Sequence, residues 1–333
     1  MAKVFVTGCG WGTALALLCE RNGHHTTLWS PFPEELEQIR LHGEQKKLLP
    51  GVPVPPSIEL SSDVADAADA DLVIMAVPSF AVEKTAQLLA PYLRAGTPVV
   101  NAGKGLEPNT HRRLSVVLQQ ALPHAHIAVL SGPSHAEEVG RCVPTSVVCA
   151  AFDHEVAVQV QQLLTTPEFR IYVCDDIIGV ELGGAFKNII ALAAGICDGL
   201  DVGDNAKAAL MTRGLAEIAR LGVCMGAKEV TFAGLSGMGD LIVTCGSMHS
   251  RNRRAGMLIG QGLSADEAVR RVGTVEGYHA SKAAFEVAKQ LGVEMPITEQ
   301  CYAICYEGRS AVEGMRALLS RPGRAERESL WMA

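Results

Sequence analysis

Lys187 stands in the stretch Gly179 to Gly199, where every residue from Leu182 to Cys197 is apolar or small except Lys187 and Asn188. With about 3.6 residues per helical turn, Gly183, Gly184, Ala191 and Ala194 fall on the side of Lys187. Such a flank leaves room for something flat or small beside the amine. A poorly hydrated ammonium has its pKa depressed, which suits proton transfer near neutral pH. The plainer alternative is a core helix whose lysine reaches out to solvent. Lys104 lies between Gly103 and Gly105, and Asp240 lies in the glycine-lined segment Leu235 to Leu241. Either could serve a reaction, and either could be an ordinary loop or turn residue. Ser250-Arg251-Asn252-Arg253-Arg254 opens a helical pattern, so hydroxyl, guanidinium and amide meet a helix N-terminus. That grouping suits a phosphate; a serine cap with a solvated basic turn explains the same spacing.

The elements that must position these residues begin with a short apolar strand over residues 3–8, which runs into Gly8-Cys9-Gly10-Trp11-Gly12. An amphipathic helix over 13–22 and a strand over 25–29 follow. Strand, glycine turn, helix and strand form the unit in which backbone amides receive a dinucleotide pyrophosphate. Its glycines are spaced GxGxG, one residue shorter than GxGxxG. No acid ends the second strand to hold a ribose 2′-hydroxyl; Trp29-Ser30-Pro31-Phe32 stands there, without an arginine for a 2′-phosphate. The choice between NAD(H) and NADP(H) is left open.

A proline-rich loop (49–56) and an acidic helical piece ending at Ala70 lead to the nearly continuous apolar strand 71–77, of the kind buried in a parallel sheet. Pro78-Ser79 ends it, and a helix to Leu93 follows. Strand 97–102 ends in Gly103-Lys104-Gly105, and strand 126–130 ends in Ser131-Gly132-Pro133-Ser134. Ligands of open α/β sheets bind beyond the carboxyl ends of strands, which makes Lys104 a candidate anion or substrate ligand. Ser134 reads more simply as the cap of a helix starting near His135. Strands 145–150 and 169–173 finish the sheet. Helical patterns then occupy 179–200, 205–225, 228–233, 251–262, 264–271, 279–291, 297–307 and 311–318. The expected organisation is a Rossmann-like, mostly parallel α/β domain (1–176), an all-α domain (177–320) and a loosely held tail (321–333).

Composition narrows the class. The 333 residues are too many for one ordinary core. A hydrophobic share of 48% and a net charge of −7 point to a globular protein, not to a partner of nucleic acid or a membrane surface. No apolar run is expected to span a bilayer, and the apolar part of MAKVFVTGCG is too short for a signal peptide. Ten cysteines are scattered without a CxxC or a Cys/His cluster, so reduced thiols in the cytoplasm and no metal site are expected.

Segments along the whole chain resemble the bacterial NAD(P)-dependent glycerol-3-phosphate dehydrogenases: WGTALALL (11–18), NAGKGLE (101–107), SGPSHAEEV (131–139), IGVELGGAFKNIIALAAGICDGL (178–200), GDNAKAALMTRGLAEIARLG (203–222), GLSGMGDLIVTC (234–245), SRNRRAG (250–256) and TVEGY (274–278). The resemblance implies a Rossmann-like domain, an all-α domain and an active site in the cleft between them. It implies reversible hydride transfer between NAD(P)H and dihydroxyacetone phosphate, giving sn-glycerol 3-phosphate for phospholipid synthesis. Lys187 matches the proton donor and acceptor, and Lys104 a lysine touching cofactor and substrate. Gly132, Ser134, Asp240, Ser250, Arg251 and Asn252 match substrate-binding positions, with Arg251 also reaching the cofactor. Trp11, Ala136, Val275 and Glu276 match cofactor-side positions; Gly8, Gly10, Gly12 and Ser30 belong with them through the nucleotide turn. Here the family's turn carries one more residue, and many members place an arginine after Trp29. The expected partner is a phosphorylated three-carbon molecule, with no nucleic acid or membrane insertion and a homodimer left open. A related β-hydroxyacid or phosphogluconate-type dehydrogenase would share the general build but not GDNAKAAL and SRNRR; a dinucleotide-sensing module without catalysis would suit the shortened glycine turn but not the intact Lys187, Lys104 and Asp240.

Overall fold

The computed structural model describes residues 1–323. Residues 324–333, most of the expected tail, lie outside them; Arg321 at its start pairs with Glu294 at 2.9 Å. The chain forms two compact units that divide between Glu181 and Leu182, a little beyond the Asp175-Asp176 break read from the sequence.

The first unit is an eight-stranded sheet: β1 (Lys3–Thr7), β2 (His25–Trp29), β3 (Glu59–Ser61), β4 (Leu72–Met75), β5 (Pro98–Asn101), β6 (His126–Ser131), β7 (Thr145–Ala151) and β8 (Phe169–Cys174). The order is β3-β2-β1-β4-β5-β6-β7-β8, and only β7 runs antiparallel to its neighbour β6. Alternation builds two cores. Val4 and Val6 of β1, with Leu72 and Ile74 of β4, face one apolar cluster; Phe5, Val73 and Met75 face the other. The first cluster receives α1 (Trp11–Arg21), α2 (Pro33–His42) and α6 (His154–Leu164), and the second α3 (Val82–Leu89) and α4 (Leu114–Ala121). A short α5 (Ala136–Gly140) follows β6. Strand order reverses at β1, where open α/β sheets bind ligands.

Local differences from the sequence reading have local causes. Helix α1 begins at Trp11 rather than Thr13: the short turn is absorbed by starting the helix directly behind Gly10. The acidic piece before Ala70 is the edge strand β3 plus one 3-10 turn, Val64–Ala67, capped by Asp63. Helix α3 stops at Leu89, ahead of Pro91, because proline disfavours helical backbone at the residue before it.

The second unit is helical: α7 (Ile177–Gly199, entering from the first unit), α8 (Asp204–Cys224), α9 (Glu229–Phe232), α10 (Asp240–Gly246), α11 (Arg251–Gly260), α12 (Ala265–Val272), α13 (Glu276–Leu291), α14 (Pro296–Tyr306) and α15 (Ala311–Leu319). Contrary to expectation, α7 is long and apolar enough to cross a membrane by length and composition, but 94% of its most apolar window is buried in the protein. Glycines let α7 and α11 meet backbone to backbone. A Cβ on Gly195 would strike Arg253 O, one on Gly256 would strike Leu192 O, and one on Gly260 would strike Ile196 O.

Glu217 of α8 fastens α14 by accepting from Ile297 N (2.7 Å), Thr298 N (3.2 Å) and Thr298 Oγ1 (3.3 Å). Burial outweighs these donors and pushes its carboxyl up to about 7. A carboxyl whose folded pKa exceeds its unfolded value stabilises fully below the unfolded pKa and loses that contribution as pH rises through the folded one. Between about pH 4.5 and pH 7.5, the stability advantage of wild type over Glu217→Gln is therefore expected to shrink by about 3 kcal/mol in urea unfolding. A pH-independent difference would contradict this.

Candidate active site

Two groups of site residues assemble, one in each unit. In the first, Thr7 pairs with Trp29 in register and Gly8 N donates to Trp29 O at 2.9 Å, fixing the glycine turn against the end of β2. Gly8 has φ +90°, and a Cβ there would stand 2.8 Å from Ala76 O; a Cβ on Gly12 would stand 2.7 Å from Thr7 O. Both positions therefore require glycine. A Cβ on Gly10 would meet only the Leu48 side chain, at 3.6 Å, and no side chain caps α1. The turn thus offers helix-end amides on an open side, and this fits a dinucleotide pyrophosphate despite the missing residue. Trp11 is half-buried behind it.

Lys104 follows β5 in a loop that Asn101 pins from both ends, donating to Gly103 O (3.1 Å) and accepting from Gly103 N (3.2 Å). The ammonium of Lys104 donates to Gly132 O (2.8 Å) and Ser134 Oγ (3.3 Å), and Ser134 Oγ also donates to Gly132 O (2.8 Å). Strand ends β5 and β6 are thereby joined through Lys104, Gly132 and Ser134. Ser134 does not cap α5; His135 holds the N-cap position without a side-chain bond, and half-buried Ala136 begins the helix. Ser30 is 1% exposed, and its hydroxyl is engaged with Phe32 N (3.2 Å) and Glu35 Oε2 (3.0 Å).

In the second unit Lys187 neither reaches solvent nor sits in an apolar sleeve. It is 5% exposed, and its Nζ lies 2.5 Å from Asp240 Oδ1 and 2.5 Å from Thr244 Oγ1. Asp240 is 1% exposed and starts α10 behind a π-type turn at Leu235–Gly239, so it is a helical residue and not a flexible one. Thr244 stands one helical turn on and donates to Asp240 O at 2.6 Å. Part of the small flank of α7 serves the same junction: a Cβ on Gly183 would stand 2.7 Å from Ser236 O. Protein backbone, then, fills the space read as room for a ligand at that position. A buried ammonium held by a carboxylate and a hydroxyl is fixed in place, as a proton donor must be.

Ser250 caps α11, accepting from Arg253 N at 3.2 Å. Arg251 is exposed in the first turn of α11, whereas Arg253 is structural: it donates to Asp198 Oδ2 (2.6 Å) and Gly246 O (2.6 Å). Burial raises the Asp198 carboxyl, but bonds from Lys207 and Arg253 hold it below the usual carboxylate range. Asn252 is 8% exposed; its amide donates to Asn188 Oδ1 (2.8 Å) and its oxygen accepts from Gly277 N (2.8 Å). It thus connects α7, α11 and the start of α13. Glu276 is half-buried in that start, and Val275 is fully buried in the apolar cluster around α11, leaving only its backbone to offer. The sequence reading missed Thr244, Asn101 and Asn188 as partners. The one legible signal was that Thr244 follows Asp240 by four residues.

Residues 3–157 match the sequence model of a family described as NAD-dependent glycerol-3-phosphate dehydrogenase N-terminus, and residues 176–316 match its C-terminus. A glycerol-3-phosphate dehydrogenase (NAD(P)+) of Moorella thermoacetica is 54% identical over 331 residues, 98% of each chain. One of Desulfitobacterium hafniense is 49% identical over 332 residues, covering 99% of this chain and 94% of the relative. The crystal structure of glycerol-3-phosphate dehydrogenase from Coxiella burnetii superposes with a TM-score of 0.92 at 36% identity, covering 96% of this chain and 99% of that one.

Proposed function

Because this chain belongs to the NAD-dependent glycerol-3-phosphate dehydrogenase family, we infer that it transfers hydride reversibly between NAD(P)H and dihydroxyacetone phosphate, with sn-glycerol 3-phosphate as product. The observation that carries the residue assignment is the buried Lys187–Asp240–Thr244 contact. The nicotinamide cofactor, when bound, supplies the hydride. Lys187 gives its proton to the ketone oxygen as negative charge develops there, and takes it back in the reverse direction. Asp240 and Thr244 hold the ammonium in place. Glycine turn residues Gly8, Gly10 and Gly12 receive the pyrophosphate, and Lys104, with Gly132 and Ser134, holds substrate and cofactor at the strand ends. Ser250 and Arg251 at the start of α11 take the substrate phosphate, whose binding positions the carbonyl. Asn252 keeps that helix end in register with α7. Ten cysteines, none bridged to another, suit a reducing compartment such as the cytoplasm. The product is the backbone from which glycerophospholipids are made.

Replacing Arg251 tests the phosphate assignment. Arg251→Ala is expected to raise the KM for dihydroxyacetone phosphate by about tenfold or more, the worth of one charged hydrogen bond, with a smaller change in kcat. An unchanged KM would place the phosphate elsewhere.

A further inference from the structure

No acid ends β2, yet the fold brings one there. After Trp29 the chain turns so that Ser30 Oγ accepts from Phe32 N (3.2 Å) and donates to Glu35 Oε2 (3.0 Å). Pro33 opens α2 directly behind Phe32, and Glu35 stands in its first turn. The half-buried carboxylate of Glu35 is therefore fastened to the residue that follows the strand. Register does the rest: β1 and β2 end together at Thr7 and Trp29, and the glycine turn begins with the next residue of β1. The thiol of Cys9, inside that turn, is pushed up to about 12, first by burial and then by the charge of Glu35, which again sets this carboxylate beside the turn.

We propose that Glu35 reads the 2′-hydroxyl of the adenosine ribose and gives this enzyme a preference for NADH over NADPH. The inference rests on the dehydrogenase reading above and deepens it at the nucleotide site. A carboxylate accepts the hydrogen bond of a ribose hydroxyl and repels a 2′-phosphate. The surrounding charges agree. Between Trp29 and Ile39 there is no arginine or lysine, and Glu34 adds a second negative charge in the same turn. The first cation, Arg40, lies in the last turn of α2 and pairs with Glu37 at 2.7 Å. Lys46 and Lys47 are exposed on the loop that brings Leu48 over Gly10, and are the residues that could instead meet a 2′-phosphate. Ser30 is thus a positioning residue: its buried hydroxyl accepts from Phe32 N and donates to Glu35.

Glu35 could also serve only to complement the N-terminal dipole of α2, a role Glu34 would share. Equilibrium titration of the full-length protein with NADH and with NADPH, read by nicotinamide fluorescence, separates these roles. Wild type is expected to bind NADH at least about tenfold tighter than NADPH, the discrimination of one charge-assisted hydrogen bond. Glu35→Gln should bring that ratio to within about threefold of unity, and Glu34→Gln should leave it as in wild type. Thermal unfolding of both variants checks that α2 is retained. A wild type that prefers NADPH overturns the proposal in favour of the two lysines. So does a ratio that Glu35→Gln leaves unchanged, or that Glu34→Gln moves equally. Each of those results leaves the dehydrogenase reading standing, whereas binding of neither nucleotide overturns both.

Discussion

Alanine at position 187 is expected to lower kcat by about a thousandfold, in the middle of the range for loss of a positioned general acid. Hydride addition leaves a full negative charge on the former carbonyl oxygen unless a proton arrives with it. In this chain an ammonium held at 2.5 Å from both a carboxylate and a hydroxyl is placed for that task. The loss should fall on kcat and on kcat/KM alike, because the proton is transferred in the transition state and not in the ground state. Affinity for NADH should stay within about threefold of wild type, since the glycine turn is not altered. Removing one member of a buried pair leaves the carboxylate of Asp240 buried beside an empty space, which carries its own stability cost. Lys187→Met, which keeps the bulk of the chain, should lose activity equally while folding better. Either variant keeping more than about a tenth of wild-type kcat would remove Lys187 from the role, because the barrier would have changed by less than about 1.4 kcal/mol.

The largest effect on stability is expected where α7 crosses α11. In Gly256→Ala, the added methyl would overlap Leu192 O and stand 2.8 Å from Ile196 N and 2.9 Å from Gly195 Cα. All three are backbone atoms, which cannot rotate away as a side-chain tip can. The helices must separate, and that movement would carry the start of α11, with Ser250 and Arg251, away from Lys187. A cost of about 3 kcal/mol or more is expected in urea unfolding, in the range of severe overpacking. Gly246→Ala is the matched control: nothing lies within 4 Å of its Cβ position. It should stay within about 1 kcal/mol of wild type. Equal stabilities for the two variants would mean that the close crossing is not what holds these helices.

Strands were legible where burial on both faces made them continuously apolar, as over Leu72–Met75, and where a glycine run followed, as after Thr7. The three-residue edge strand β3 was not, since an edge with one exposed face has too few residues to show a period. Lys187, Asp240 and the Ser250–Arg251 cap stood out by residue type against apolar or glycine-rich surroundings. Their meeting did not: 53 residues separate Lys187 from Asp240, and only the fold brings the two side chains together. Part of the small-residue flank of Lys187 was misread for the same reason. Gly183 makes room for protein backbone, a demand invisible until the Ser236–Gly237 turn is placed against it. Glu35 is not legible as a ribose ligand from sequence, because it lies six residues beyond Trp29 and not at the end of β2. A serine-held bend delivers the acid from the next helix instead.

The measurement closest to the central claim is consumption of reduced nicotinamide by the purified chain with dihydroxyacetone phosphate, followed by absorbance and run separately with NADH and NADPH. The expected result is oxidation that depends on dihydroxyacetone phosphate, with one sn-glycerol 3-phosphate formed per nicotinamide oxidised. Absence of turnover with either nucleotide, or turnover of small oxo-acids in place of dihydroxyacetone phosphate, would contradict the account.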